Sequence, residues 1–293
     1  MIASVGPCLP ADLFEATGRY AGPLPWQLGR PTPKADRWLE SMFPVWARSV
    51  LEDWAQGRFD ELAAVVFSRA DDAAQRLYYY VCELQRRGLV GGPRPTIVDV
   101  AKIPRPTRAA RSIDAVRRLA REFALSDDDL RAGIAEANRR RAERAAIDPE
   151  GPACILVGTP PPHRLLHEAI SDVGFSPVGP TLAELWADPG PPIDETEADP
   201  AAAIGRQIHL RHDDRRGFAD AARSSLALAQ VCNARAAVLW YGEEDEARAW
   251  DVPRVQAALA NAGLPLTVMT RRDEAGRDGA PAEIRAFLGG LKP

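Results

Sequence analysis

Short apolar runs alternate along this chain with amphipathic stretches of helical spacing. In the first half the runs Ile2–Val5, Tyr20–Leu24, Ala63–Phe67 and Thr96–Val100 read as strands. In the second half Cys154–Val157, Phe175–Val178, Ala236–Tyr241 and Leu264–Met269 do the same. Strands separated by helical patterns predict a parallel α/β fold. Each series opens with a strand and a helix closed by glycine, "LPADLFEATG" in one and "HRLLHEAISDVG" in the other. Such a glycine suits the left-handed C-terminal cap. Each series also closes alike, with "ELQRRGLVGGPRPTIVDV" matched by "AALANAGLPLTVMT". The expectation is two similar Rossmann/flavodoxin-like lobes, residues 1–111 and 151–293, each with a mainly parallel sheet of about four strands.

Residues 112–150 are expected to join the lobes as a helical connector. Within them Ile113, Val116, Leu119 and Phe123 form one apolar stripe. "SDDDL" at Ser126 offers an N-cap followed by acids in the first turn, which predicts a break into two helices. The Arg-rich end, Arg139 to Arg144, reads as a solvated helix C-terminus. "DPGPPIDETEADP", Asp188 to Pro200, reads as a surface loop inside the second lobe.

Composition narrows the function classes. The net charge of −4 supplies no general attraction for nucleic acid or an anionic membrane. The sequence contains no apolar run near the roughly 20 residues that span a bilayer, and its N-terminus lacks a secretory pattern, so a cytoplasmic protein is expected. Cys8, Cys82, Cys154 and Cys232 lie far apart with no C-x-x-C pair, which points to reduced, buried thiols.

The strand-end turns are the places to look for chemistry, because ligands of open α/β sheets bind beyond the carboxyl ends of the strands. The turns "VGPCLP" and "VGTPPP" follow the two opening strands, and their prolines remove the amide donors a pyrophosphate needs. No Walker loop and no G-x-S-x-G elbow occurs. Cys8, Ser68, Gly158, Thr159 and His163 are expected to line these strand ends. His163 and His167, spaced i, i+4, are expected on one helix face. His209 and His212 sit beside Asp213 and Asp214, and both pairs read as polar residues near a cleft rather than metal ligands.

Several segments, in order, resemble the subunits of 2-hydroxyacyl-CoA dehydratases and benzoyl-CoA reductases. "CLPADLFEATGRYAGPL" is similar to the family's opening P-x-E-L-x-x-A-x-G segment, with Asp12 where Glu is usual. "MFPVWARSVLEDWAQGRFDELAAVVFSRADDAAQRLYYYVCEL" is similar to its C-P-x-x-x-S helix, D-x-V-V strand and C-D turn. "LSDDDLRAGIAEANRRR", "ADPAAAIGRQIH" and the closing "ALANAGLPLTVMTRRDEAGRDGAPAEIRAFLGGL" resemble further pieces in the family's order. The resemblance implies two α/β domains around an iron–sulfur cluster of the [4Fe-4S] kind, held by three cysteines, and two related subunits acting on a CoA thioester.

This sequence departs from that pattern at the ligands. The resemblance puts the first on Phe43, the second on Ala70 and the third in the turn Gly242 to Glu246, with Gly242, Glu243 and Glu244 at its start. None is a thiol, and one hard carboxylate does not replace three soft ligands. No cofactor is therefore expected, and no metal. The reading is a cluster-free subunit that pairs with a homologous cluster-bearing subunit or forms a homo-oligomer, supplying structure or acyl-CoA contacts. The alternatives are an active [4Fe-4S]-dependent enzyme and a stand-alone CoA-ester-binding protein. Arg105, Arg108 and Arg111 are candidate contacts for CoA phosphates. Asp71, Asp72, Glu243 and Glu244 add negative charge near the cleft. The "RLYYYVCEL" helix and Trp38, Trp46 and Trp54 are candidates for an interface or for core.

Overall fold

The computed structural model describes residues 1–100, 105–144, 149–211 and 220–291. The chain runs β1 (Ile2–Val5), α1 (Ala11–Ala16), β2 (Tyr20–Pro23), α2 (Pro33–Asp36), α3 (Val45–Ala55), β3 (Ala64–Ser68), α4 (Asp72–Arg86) and β4 (Arg94–Val98). Two helices follow, α5 (Ala109–Glu122) and α6 (Asp127–Ala142). The second series is β5 (Ala153–Gly158), α7 (Leu165–Ser171), β6 (Ser176–Val178), α8 (Leu182–Trp186), α9 (Pro200–Leu210), α10 (Ala221–Val231), β7 (Ala236–Gly242), α11 (Glu246–Ala249), α12 (Val252–Asn261), β8 (Leu266–Arg272) and α13 (Ala280–Gly289).

The fold is α/β, with two four-stranded, all-parallel sheets ordered β2-β1-β3-β4 and β6-β5-β7-β8. In the first sheet Ile2 pairs with Ala64 and Val5 with Phe67. In the second Cys154 pairs with Ala236 and Gly158 with Trp240. Every residue of β1, β3 and β7 is buried, as expected of central strands covered by helices on both faces. The outer strands β2, β4, β6 and β8 are partly exposed. In both sheets the chain order reverses between the first and third strands, the two carrying the turns singled out in the sequence.

The compact units are not the predicted halves. One unit comprises residues 1–144 with 186–218; the other comprises 145–185 with 219–293. Thus α5 and α6 belong to the first unit rather than forming a separate connector. The proline-rich loop is where the chain returns to that unit, bringing α9 with it. The reason is apolar burial: Val116, Leu119 and Ala120 of α5 share one core with Ala201, Ile204 and Ile208 of α9 and with Val66 of β3. The break at Ser126 takes the expected form, a capping box in which Ser126 and Asp129 satisfy each other's backbone amides.

The larger departure concerns the arginines ending α6. Arg139, Arg140 and Arg144 are solvated, as predicted, but Arg141 is not. It donates through Nη1 and Nη2 to the two carboxylate oxygens of Asp12 at 2.7 and 2.8 Å. Asp12 is fully buried, and the Arg141 side chain is 7% exposed. Arg141 also donates to the Asn138 side-chain oxygen on its own helix and to the carbonyls of Gly190 and Pro189, so the pair ties α1 and α6 to the returning chain. The helices can come this close because position 133 is glycine: a Cβ there would sit 2.3 Å from the Asp12 carbonyl oxygen. Burial pushes the Asp12 carboxyl up, and the hydrogen bond and charge of Arg141 pull it down without fully compensating.

Removing one partner of such a pair strands the other charge, at a cost of about 3–5 kcal/mol. Asp12→Ala is expected to destabilise the first unit by that amount in urea unfolding followed by tryptophan fluorescence. Joint replacement of Asp12 by Leu and Arg141 by Met is expected to recover at least half of the loss. A single-variant loss below about 1 kcal/mol would show that the pair is not what holds this junction.

Candidate functional site

In the first unit the turns after β1 and β3 do meet. Gly6 lies against the second turn so closely that a Cβ there would stand 2.8 Å from Ser68 Cβ. Cys8 is buried, with φ 58°, and shares the core with Ala70. The "SRADD" stretch closes on itself. Ser68 is fully buried and its hydroxyl accepts from the Ala70 amide at 3.0 Å. Asp71 caps α4, accepting from the Ala74 amide at 2.7 Å, while Asp72 opens that helix and is exposed.

Phe43 is buried, but its ring is occupied by α4. It packs edge-on against Tyr80 with centroids 5.4 Å apart, and the Arg76 guanidinium sits 4.2 Å over its face. Trp46 and Trp54 are core residues, whereas Trp38 is partly exposed; of the three tyrosines in the "YYY" run Tyr79 is the exposed one and Tyr78 and Tyr80 are half-buried. The tryptophan spacing therefore reflects mainly packing.

Beyond β3 and β4, Asp99 bridges Arg69 and Arg111. Burial would raise the Asp99 carboxyl, but hydrogen bonds from Arg111 and Arg69 and their charges hold it below its ordinary value. Arg111 is thus engaged in an ion pair. Arg105 and Arg108 are exposed, and the Arg105 carbonyl accepts from His209 Nε2 at 2.9 Å. That bond leaves His209 Nδ1 facing the Ser112 hydroxyl at 3.4 Å. His209, 2% exposed, is a buried strut between helices and not a cleft residue. His212, Asp213 and Asp214 lie outside the described residues.

The second unit has its own closed turn pair. The Thr159 amide donates to the Trp240 carbonyl at 2.8 Å, joining the turn after β5 to β7. The Thr159 hydroxyl donates to Asp245 at 2.8 Å and accepts from the Gly242 amide at 3.1 Å. Asp245 also caps α11 and pairs with Arg248, which donates to the Gly158 carbonyl at 3.2 Å. Glu243 is exposed and meets Arg271 at 3.4 Å, and its amide donates to the Arg272 carbonyl. Glu244, like Asp245, is partly buried, with one carboxylate oxygen 4.0 Å from where a Gly242 Cβ would stand.

The two histidines after β5 do not share a helix face, because α7 begins only at Leu165. His163 precedes it, with Nε2 3.4 Å from the Ala275 carbonyl. His167 lies within it, buried, and donates through Nε2 to the Gly179 carbonyl at 2.9 Å. Burial holds His167 below the usual histidine range despite that bond. Among the described residues, no three His, Cys, Asp or Glu side chains gather as a metal site. Cys154 and Cys232 are buried in the second unit's core, and burial pushes the Cys154 thiol up to about 12. Cys82 lies within α4 and is half-buried. The ligand positions taken from the resemblance thus do not fit a thiolate-held cluster: Phe43 and Ala70 carry no donor atom, and the Gly242 turn supplies carboxylates.

Nothing in the linear pattern points to the Thr159–Asp245–Arg248 latch, since its members are 86 and 3 residues apart. The one available signal is that both ends of the latch follow strands. Among the described residues, no helix is long and apolar enough to cross a membrane.

Because Asp99 is held below its ordinary value of 3.8, its contribution to stability is present above that value and disappears as the pH falls through the folded-state value. Asp99→Asn is therefore expected to be less stable than the parent near neutrality by under about 1 kcal/mol, with the gap closing as the pH falls through the folded-state value of Asp99. Thermal unfolding across pH checks this, and a gap that widens on acidification would contradict it. No family model matches this chain, and no curated protein matches it.

Proposed function

We propose that this chain is a cluster-free subunit of the 2-hydroxyacyl-CoA dehydratase and benzoyl-CoA reductase type, working in the cytoplasm. In this reading it contributes structure or acyl-CoA contacts to a complex with a homologous, cluster-bearing partner. The observation that carries it is the state of the three positions where the resemblance expects thiolates. Phe43 is sandwiched by Tyr80 and Arg76, Ala70 is packed in the core beside Cys8, and the Gly242 turn is tied to Thr159. Each position has a packing or hydrogen-bonding role that a ligand would have to displace. The two parallel sheets agree with the reading. No electron-transfer step is assigned to residues of this chain.

A second reading, a stand-alone CoA-ester-binding protein, draws on the exposed Arg105 and Arg108, whose guanidinium groups suit phosphate. Both readings are tested by one preparation. The tagged chain, produced without oxygen in its native host, is expected to carry iron and acid-labile sulfide far below one per chain and to bring down a cysteine-bearing homologous subunit. A brown, stoichiometric iron–sulfur centre in this polypeptide would overturn both readings and favour an active cluster enzyme. A colourless monomer that retains a CoA ester on its own would favour the second.

A further inference from the structure

Beside the closed turn after β3, two arginines from different elements converge on one carboxylate. Arg69 donates through Nη1 to one oxygen of Asp99, and Arg111 of α5 donates through Nη2 to the other. Two nitrogens held on the two oxygens of one carboxylate stand within about 7 Å of each other, a span that a single tetrahedral anion bridges. The side chains of Arg69, Arg111 and Asp99 are 34%, 49% and 26% exposed. Each guanidinium carries five N–H donors, and among the described residues Asp99 is the only side chain that either meets. Of the Arg69 nitrogens only Nε is buried without a partner, so the outer donors of both forks face solvent. Arg105 and Arg108, both exposed, stand on the turn that leads into α5, at three-residue spacing before Arg111. That turn is pinned, because the Arg105 carbonyl accepts from the Arg108 amide at 2.8 Å and from His209 Nε2 at 2.9 Å. Arg108 makes no side-chain cap on the α5 N-terminus, whose dipole adds to the positive field. Four arginines thus gather against one carboxylate.

We propose that this cluster is a binding site for a phosphate monoester dianion, gripped by Arg69 and Arg111 on either side of Asp99, with Arg108 adding charge. Asp99 holds the two guanidinium groups together against their mutual repulsion, so the fork is set before the ligand arrives. A dianion with three free oxygens answers the excess of cations, whereas a carboxylate or a phosphodiester brings a single charge. The phosphate meets the outer N–H groups, so no hydrogen bond of the turn after β3 has to break. The whole site lies within the first unit. It deepens the CoA-ester reading, on which it rests only for the source of the phosphate, the 3′-ester of CoA or a smaller phosphorylated metabolite.

The test is a titration of the full chain with inorganic phosphate at pH 8 and constant ionic strength, followed by amide chemical shifts or by the thermal midpoint. Saturable binding is expected, with shifts centred on Arg69, Asp99 and residues 105–111. Dimethyl phosphate and acetate, each with one charge, are expected to bind about fivefold more weakly or worse. Arg69→Gln and Arg111→Gln are each expected to cost phosphate about tenfold in affinity, whereas Arg235→Gln, which removes an exposed arginine of the second unit, changes it less than about twofold. The comparison of anions on the unaltered protein stands whether or not the variants fold. CoA that competes with phosphate and binds about tenfold more tightly than dephospho-CoA would assign the phosphate to CoA. Phosphate binding with no such preference would keep the site and remove the CoA-ester reading. No saturable phosphate binding, equal binding of dimethyl phosphate or acetate, or an equal loss in Arg235→Gln would overturn the proposal.

Discussion

The ion pair between Asp12 and Arg141 sets the construction of the first unit. Its members are 129 residues apart, and neither is accessible enough to be neutralised by solvent, so each must find the other for either to be buried. Satisfying Arg141 takes more than one carboxylate. Its guanidinium also requires the carbonyls of Pro189 and Gly190, which lie on the chain after it has already built two strands of the other unit. The pair thereby fixes where the chain must come back. Burial leaves Asp12 with a raised pKa even beside an arginine, so the arrangement is a poor source of net stability. What it supplies is register: only one placement of α1, α6 and the returning loop meets every donor at once.

Once that return is fixed, the neighbouring groups follow from it. Asp188 receives both Arg144 and Arg211, Asn138 exchanges hydrogen bonds with Ile193, and α9 is delivered against α5 with His209 between Ser112 and the Arg105 carbonyl. The helical layer over the first sheet is therefore assembled from three separated stretches of sequence. The second sheet receives its helices from the chain immediately around its strands, and its core is correspondingly local, built from α7 and α13 on one face and from α10 and α12 on the other.

That difference explains which features are legible in the sequence. All eight strands are, because each lies on a short, largely apolar run bounded by glycine, proline or polar residues, and the central strands β1, β3, β5 and β7 are the most apolar of them. The Ser126 cap is legible because a capping box is local. Arg141 is not, because an arginine in a run of arginines looks the same whether its partner is water or a carboxylate over a hundred residues away. His209 escapes a sequence reading for the same reason, its burial being decided by α5. The strand-end turns are placed correctly by the pattern while their chemistry is not: Ser68, Asp71, Thr159 and Asp245 look reactive in sequence, and in the fold they tie down amides.

The distribution of satisfied and unsatisfied groups therefore separates two kinds of place. At the strand-end turns of both units the polypeptide supplies partners from within, through a capping aspartate, a buried serine and a threonine latch, so binding there must first break internal bonds. Along the returning segment Arg211 and Gln207 are likewise held by backbone carbonyls, and the atoms they leave unmet among the described residues, Nη1 and Oε1, are buried away from solvent rather than presented to it. A ligand at either kind of place must therefore first displace groups that the chain has already packed or hydrogen-bonded for itself, and the cost of that displacement falls on the buried junction that Asp12 and Arg141 hold as much as on the turns at the sheet edges.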